Sequence, residues 1–174
     1  MPKSNLLLVW TTWMLLTVWL PGFGQSAAQT VPANQFNIGD SIGEGEAADG
    51  TIGAANHPAV WSTGYAAGDV VYSLNERFES RSPSSFYENN TERDAVFNRA
   101  VSGSVMADFA AQAAEIVSAA ATIPSDSAGM IAILLGANDV CAGSLDAMTP
   151  PEQFETQFRA GLDVLAASDA TRNA

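Results

Sequence analysis

The chain has 174 residues, 47% of them hydrophobic, and carries 19 Asp and Glu against 7 Lys and Arg for a net charge of −12. That length suits one domain with a proper core, and so acidic a surface repels phosphate backbones, which argues against nucleic acid as a partner. Cys141 is the only cysteine and His57 the only histidine, so an internal disulfide, a cysteine-based zinc site and a multi-histidine metal centre are excluded.

The first element is a leader. Residues 6–20 carry no charge, follow Lys3, and run through Pro21 and Gly22 to Ser26-Ala27-Ala28, which has small residues where a signal peptidase reads. The run falls short of the ~20 residues a spanning helix needs. Residues 1–28 are therefore read as a secretory signal, with no stable membrane insertion after cleavage, and residues 29–174 as the mature domain. Cleavage removes the single lysine and leaves six Arg against 19 acidic residues, a net −13. The expected location is outside the cell, in the periplasm or at the envelope.

After a short lead at 29–35 comes Phe36-Asn37-Ile38-Gly39-Asp40-Ser41, an apolar run ending in a glycine-flanked serine. It reads as a parallel strand buried on both faces that delivers a nucleophile just beyond its carboxyl end. Gly39, Gly43 and Gly45 permit the positive φ and close backbone approach of a tight strand-to-helix turn. Such triplets also occur in ordinary surface turns, where Asp and Ser bond to their own backbone. The glycine- and acid-rich stretch 43–53 reads as a loop, and its Glu44, Glu46 and Asp49, which lack the spacing of a calcium-binding loop, as a solvated rim. His57, Trp61 and Tyr65, in the loop ahead of the next helix, are expected to pin that loop as an aromatic cluster rather than to border a substrate cleft.

Asp69 is a suitable cap for a helix with Val70, Val71, Leu74 and Phe78 on one face, ending near Glu79 before Ser82-Pro83. Asn89-Asn90-Thr91 fits a glycosylation sequon. Ala95-Val96-Phe97-Asn98 reads as a second strand leading through Arg99-Ala100-Val101-Ser102 to Gly103. The helix after it places Met106, Phe109, Ala110, Ala113, Val117 and Ala120 on one face and Asp108, Gln112 and Glu115 on the other. Beyond a break at 124–129, residues 130–135 (MIAILL) are the most apolar run of the mature chain and are expected to form the central strand, ending at Gly136-Ala137-Asn138-Asp139. Thr149-Pro150-Pro151-Glu152 opens a last helix with a capping threonine, Phe154, Phe158, Leu162 and Leu165 inward, and Glu155 and Arg159 paired outward.

Three strand ends thus carry Ser41, the backbone of Gly103 and the side-chain amide of Asn138. In a parallel sheet with right-handed crossovers such ends emerge on one edge. Acyl transfer needs this set: an oxygen nucleophile, and preorganised N–H donors for the oxyanion that develops on the carbonyl.

The blocks Phe36-Asn37-Ile38-Gly39-Asp40-Ser41, Asn98-Arg99-Ala100-Val101-Ser102-Gly103 and Leu135-Gly136-Ala137-Asn138-Asp139 resemble, in order and spacing, those of the SGNH hydrolases, the GDSL esterase/lipase family. The resemblance implies a flavodoxin-like three-layer α/β/α sandwich on a parallel sheet, no cofactor, and hydrolysis of carboxylic esters through an acyl-enzyme on Ser41. Small-molecule, lipid or acetylated-glycan esters would be the substrates. It assigns Ser41 as nucleophile and oxyanion donor, and Gly103 and Asn138 as oxyanion donors.

One block of the family has no counterpart. The Asp-x-x-His that supplies the general base is missing from the sequence, and His57, with Ala54 three residues before it, does not match it. The expectation is a domain incomplete at its C-terminus and close to inactive, with His57 a minor candidate as substitute base. Asp40 and Asp139, adjoining functional residues, are expected to hold turns rather than to serve as triad acids. The competing reading is a non-catalytic secreted protein that binds an ester or glycan on the same scaffold.

Overall fold

The computed structural model describes residues 31–81, 97–123, 125 and 128–174. The expected signal at 1–28, the sequon at 89–91 and the first half of the second expected strand, Ala95 and Val96, lie outside the described residues.

Two strands pair in parallel: β1 (Phe36–Gly39) and β2 (Ile131–Leu134), in register from Phe36 opposite Ile131 to Gly39 opposite Leu134. On its other side β1 meets the segment 98–101. Asn37 and Asn98 form a parallel bridge, and the amides of Arg99 and Val101 donate to the carbonyls of Asn37 (2.9 Å) and Gly39 (3.1 Å). Among the described residues the strand flanked on both sides is therefore β1 and not 130–135, as the apolar run had suggested. Every residue of β1 is buried, whereas β2 is half-buried and Leu134 is 40% exposed. Apolar composition identified a strand there but not its neighbours, because exposure depends on what packs against each side.

Along β1 the side chains alternate, as strand geometry requires. Phe36 and Ile38 enter the main core with Phe97, Phe109, Ala113, Ile116 and Leu165, and the Phe36 and Phe97 rings lie 4.9 Å apart. Burying each such side chain stabilises the fold by roughly 1.5–3 kcal/mol. The core is closed by α2 (Phe109–Ala120) and α4 (Pro151–Ala166), which pack on each other, with α2 also against β1. Asn37 and Gly39 face the other way, onto the loop that follows Ser41: a Cβ on Gly43 would lie 2.8 Å from that of Ala100, so only glycine fits this crossing.

Helix α1 (Leu74–Arg81) starts later than Asp69. Its cap is Ser73: the hydroxyl accepts from the amide of Glu76 (3.0 Å), while the Ser73 amide donates to the Glu76 carboxylate (2.8 Å), a reciprocal capping box. Asp69 instead accepts from Val71 (2.8 Å), and Val70 is 89% exposed. In α4 the N-terminal position is taken by Pro150, no side chain caps the helix, and Thr149 donates its amide to the Asp139 carbonyl (3.1 Å). Leu165 is buried as expected, but Phe158 and Leu162 remain 38% and 39% exposed. The Glu155–Arg159 pair forms at 2.7 Å. The short α3 spans Ala137–Val140.

Candidate active site

Because β1 and β2 run parallel and the Val101 amide is bonded to Gly39, the chain leaves all three segments at one sheet edge. Ser41 follows β1 by two residues, Gly103 follows Val101 by two, and Asn138 stands in the first turn of α3 after β2.

Each turn is pinned by a buried polar group. The Asp40 carboxylate accepts from the Ile42 amide (3.0 Å), and the Asp40 and Ser41 carbonyls accept from Glu44 and Glu46 (both 2.9 Å), winding the chain into a helical turn behind the serine. The Gly43 carbonyl is held by two carboxamides at once, Asn37 Nδ2 at 2.9 Å and Asn98 Nδ2 at 2.8 Å, and these two side chains bond each other at 3.0 Å. Asn98 Oδ1 also accepts from the Ala100 amide (3.0 Å). The second segment is therefore clamped to the loop that carries Ser41.

The glycine segment turns at Gly103, with φ +83° and nothing within 4 Å of where a Cβ would stand, so the positive φ alone demands glycine. Its neighbours are tied down. The Ser102 amide donates to Glu44 (2.8 Å), the Ser102 hydroxyl to Glu46 (2.6 Å), and the Ser104 amide to the Val101 carbonyl (3.1 Å). Glu44 and Glu46 thus strap the serine loop to the glycine turn and are not merely a solvated rim. Glu44 also lies 4.0 Å from His57 Nε2.

Asn138 Nδ2 donates to the Ser104 carbonyl (2.8 Å), bringing the third strand end against the second. A carbonyl only accepts, so this bond fixes which end of the carboxamide is nitrogen and leaves its second N–H uncommitted. Asp139, buried, accepts from the Met106 amide (2.8 Å); it braces the segment after the glycine turn rather than its own turn.

Among the backbone amides at this edge, Ser41 N and Gly103 N have no acceptor among the described residues. Nor does any described group hydrogen-bond the Ser41 hydroxyl. A half-buried hydroxyl and unpaired N–H groups beside parallel strand ends are the parts from which acyl-transfer sites are built.

Pattern reading missed Asn37, Asn98 and Gln112 as structural members of the site. Gln112 was expected on the outer face of α2, yet it is 4% exposed and bonded to Gly39 and Ser104. The available signal was a carboxamide interrupting an apolar strand, as in Phe36-Asn37-Ile38 and Phe97-Asn98, where burial demands a partner.

A parallel α/β protein with serine, glycine and asparagine at successive strand ends defines an ester-hydrolase type of scaffold. The family model of the GDSL-like Lipase/Acylhydrolase matches residues 36–168, and the chain belongs to that family. Comparison with curated proteins and with solved structures gives no match. The matched span includes all three blocks read from the sequence, and the α/β class agrees with the parallel sheet and its helices.

Proposed function

We propose that this protein is a secreted serine esterase or lipase, acting on small-molecule, lipid or acetylated-glycan esters through an acyl-enzyme on Ser41. Family membership supports a carboxylic ester hydrolase in general. The observation that carries the finer reading is the pair of amides, Ser41 N and Gly103 N, left without acceptors among the described residues while Ile42 N, Ser102 N and Ser104 N beside them are bonded. Together with the second N–H of Asn138 they supply three donors for an oxyanion.

In this mechanism Ser41 Oγ attacks the ester carbonyl and gives its proton to a base, and the carbonyl oxygen becomes an oxyanion held by the three N–H groups. Collapse expels the alcohol and leaves Ser41 acylated; water then attacks through a second oxyanion at the same donors. Each donor is worth on the order of 3 kcal/mol at the transition state. No described residue hydrogen-bonds the Ser41 hydroxyl to act as its base, and a serine without one is a weak nucleophile, so these 174 residues should turn over slowly.

The test is p-nitrophenyl acetate hydrolysis with and without added imidazole, using Ser41→Ala under the same conditions as the blank. A Ser41-dependent rate that rises with imidazole supports the proposal; equal rates for the two proteins overturn it. The unbonded Ser41 hydroxyl also favours a second reading, a non-catalytic binder of esters or glycans on this scaffold. Labelling of Ser41 by a fluorophosphonate excludes the binder, and tight ester binding without labelling establishes it.

A further inference from the structure

We infer that Gln112 is a positioning residue that sets the separation between the nucleophile and its oxyanion donors; this rests on the esterase reading above. Gln112 lies on the buried side of α2, between Phe109 and Ile116 one turn away on either side, where an apolar side chain would ordinarily pack. Burying a carboxamide there without partners would cost several kcal/mol. Instead its Oε1 accepts from the Gly39 amide (2.9 Å), and its Nε2 donates to the Gly39 carbonyl (3.0 Å) and to Ser104 Oγ (2.9 Å).

These three bonds join the parts that must be held in register. Gly39 is two residues before Ser41 on the last position of β1. Ser104 follows Gly103, and its carbonyl holds Asn138 Nδ2. A single side chain therefore spans from the strand that carries the nucleophile to the turn that carries one donor, and that turn orients the other. The Gln112 carboxamide is planar and stiff, and α2 is anchored in the core by Phe109, Ala113 and Ile116, so the span is set by a rigid element. Misplacement of reacting groups by about 1 Å can cost on the order of 100-fold in rate.

The full chain carries the test, in Ser104→Ala, Gln112→Leu and the double variant, with p-nitrophenyl acetate and imidazole and Ser41→Ala as blank. We expect each single variant to lower kcat by about 10- to 100-fold with KM within about twofold. The double variant should be no slower than the slower single, because both sever one linkage. In Gln112→Glu, activity relative to wild type should recover as pH falls, since only the protonated carboxyl regains a donor for Gly39 or Ser104. Unchanged kcat, a loss confined to KM, multiplying losses or a flat pH ratio would each overturn the inference. Absence of Ser41-dependent turnover in the wild-type chain would instead refute the esterase reading. The positioning claim is then decided by amide NMR: Gln112→Leu should shift both Ser41 and Gly103, and a shift confined to Gly39 would overturn it.

Discussion

Gly161→Ala sets intrinsic helix propensity against packing, and the two predict opposite signs. Gly161 is buried inside α4, and glycine in a helix interior costs about 1 kcal/mol relative to alanine, so propensity alone predicts stabilisation. In the fold a Cβ at this position would lie 2.6 Å from Cε1 of Phe109, and closer still to Cγ and Cδ1. Carbon atoms pack at roughly 3.5–4.0 Å, so the ring would have to retreat by about 1 Å. Phe109 is fully buried and lies against Phe158 with ring centroids 5.8 Å apart, so the retreat displaces the core. Overpacking of this kind costs about 1–3 kcal/mol, and with so severe an overlap the upper end applies. Subtracting the propensity gain leaves a destabilisation of about 2 kcal/mol, or a fall in Tm of about 4–8 °C. Thermal unfolding followed by circular dichroism reads it directly. Adding Phe109→Leu should relieve part of the penalty of Gly161→Ala. A Tm that rises in the single variant would refute the packing argument.

Other perturbations follow from individual bonds. Ser73→Ala removes the α1 cap and should cost about 1–2 kcal/mol, seen as a lower urea midpoint at unchanged slope. Asp139→Ala leaves the Met106 amide buried and unpaired and should cost about 1–3 kcal/mol, whereas Asp139→Asn keeps an acceptor and should lose less than half as much in the same assay. Asp49, fully exposed, is held below its ordinary value of 3.8 chiefly by the Thr51 backbone amide, which donates to it at 2.8 Å. A depressed carboxylate contributes stability above its unfolded value and loses it as pH falls through the folded one. Carbon-detected NMR should therefore show Asp49 titrating below an exposed Asp of a model peptide, and Thr51→Pro should abolish the difference.

Where one principle governed, the sequence was legible. The apolar runs at 36–39 and 131–134 became strands, and the periodicity of 109–120 and 151–166 became helices, because buried faces leave a spacing. The three blocks at the strand ends were legible for a similar reason: a chain crossing a sheet edge needs small and polar residues at fixed points. What escaped was decided by tertiary partners. Gln112 looked like an outer-face residue because hydropathy marks every carboxamide as polar, yet its partners were the backbone of Gly39 and the hydroxyl of Ser104, distant in the chain. The α1 cap went to Asp69 in the pattern because aspartate caps well, but the Ser73-Leu74-Asn75-Glu76 box was the local solution with two bonds rather than one. The order of the strands followed from what covers each, which no run of apolar residues encodes.

The proposed chemistry requires the Ser41 amide, the Gly103 amide and the Asn138 carboxamide to converge on one oxygen. The most direct measurement is a crystal structure of the protein with an alkylboronic acid, which adds to a serine hydroxyl as a tetrahedral borate. The predicted result is boron bonded to Ser41 Oγ with one borate oxygen at about 2.7–3.1 Å from all three nitrogens, the spacing an oxyanion site requires. Boron bonded elsewhere, or a Ser41 adduct whose oxygens meet neither Gly103 N nor Asn138 Nδ2, would contradict it.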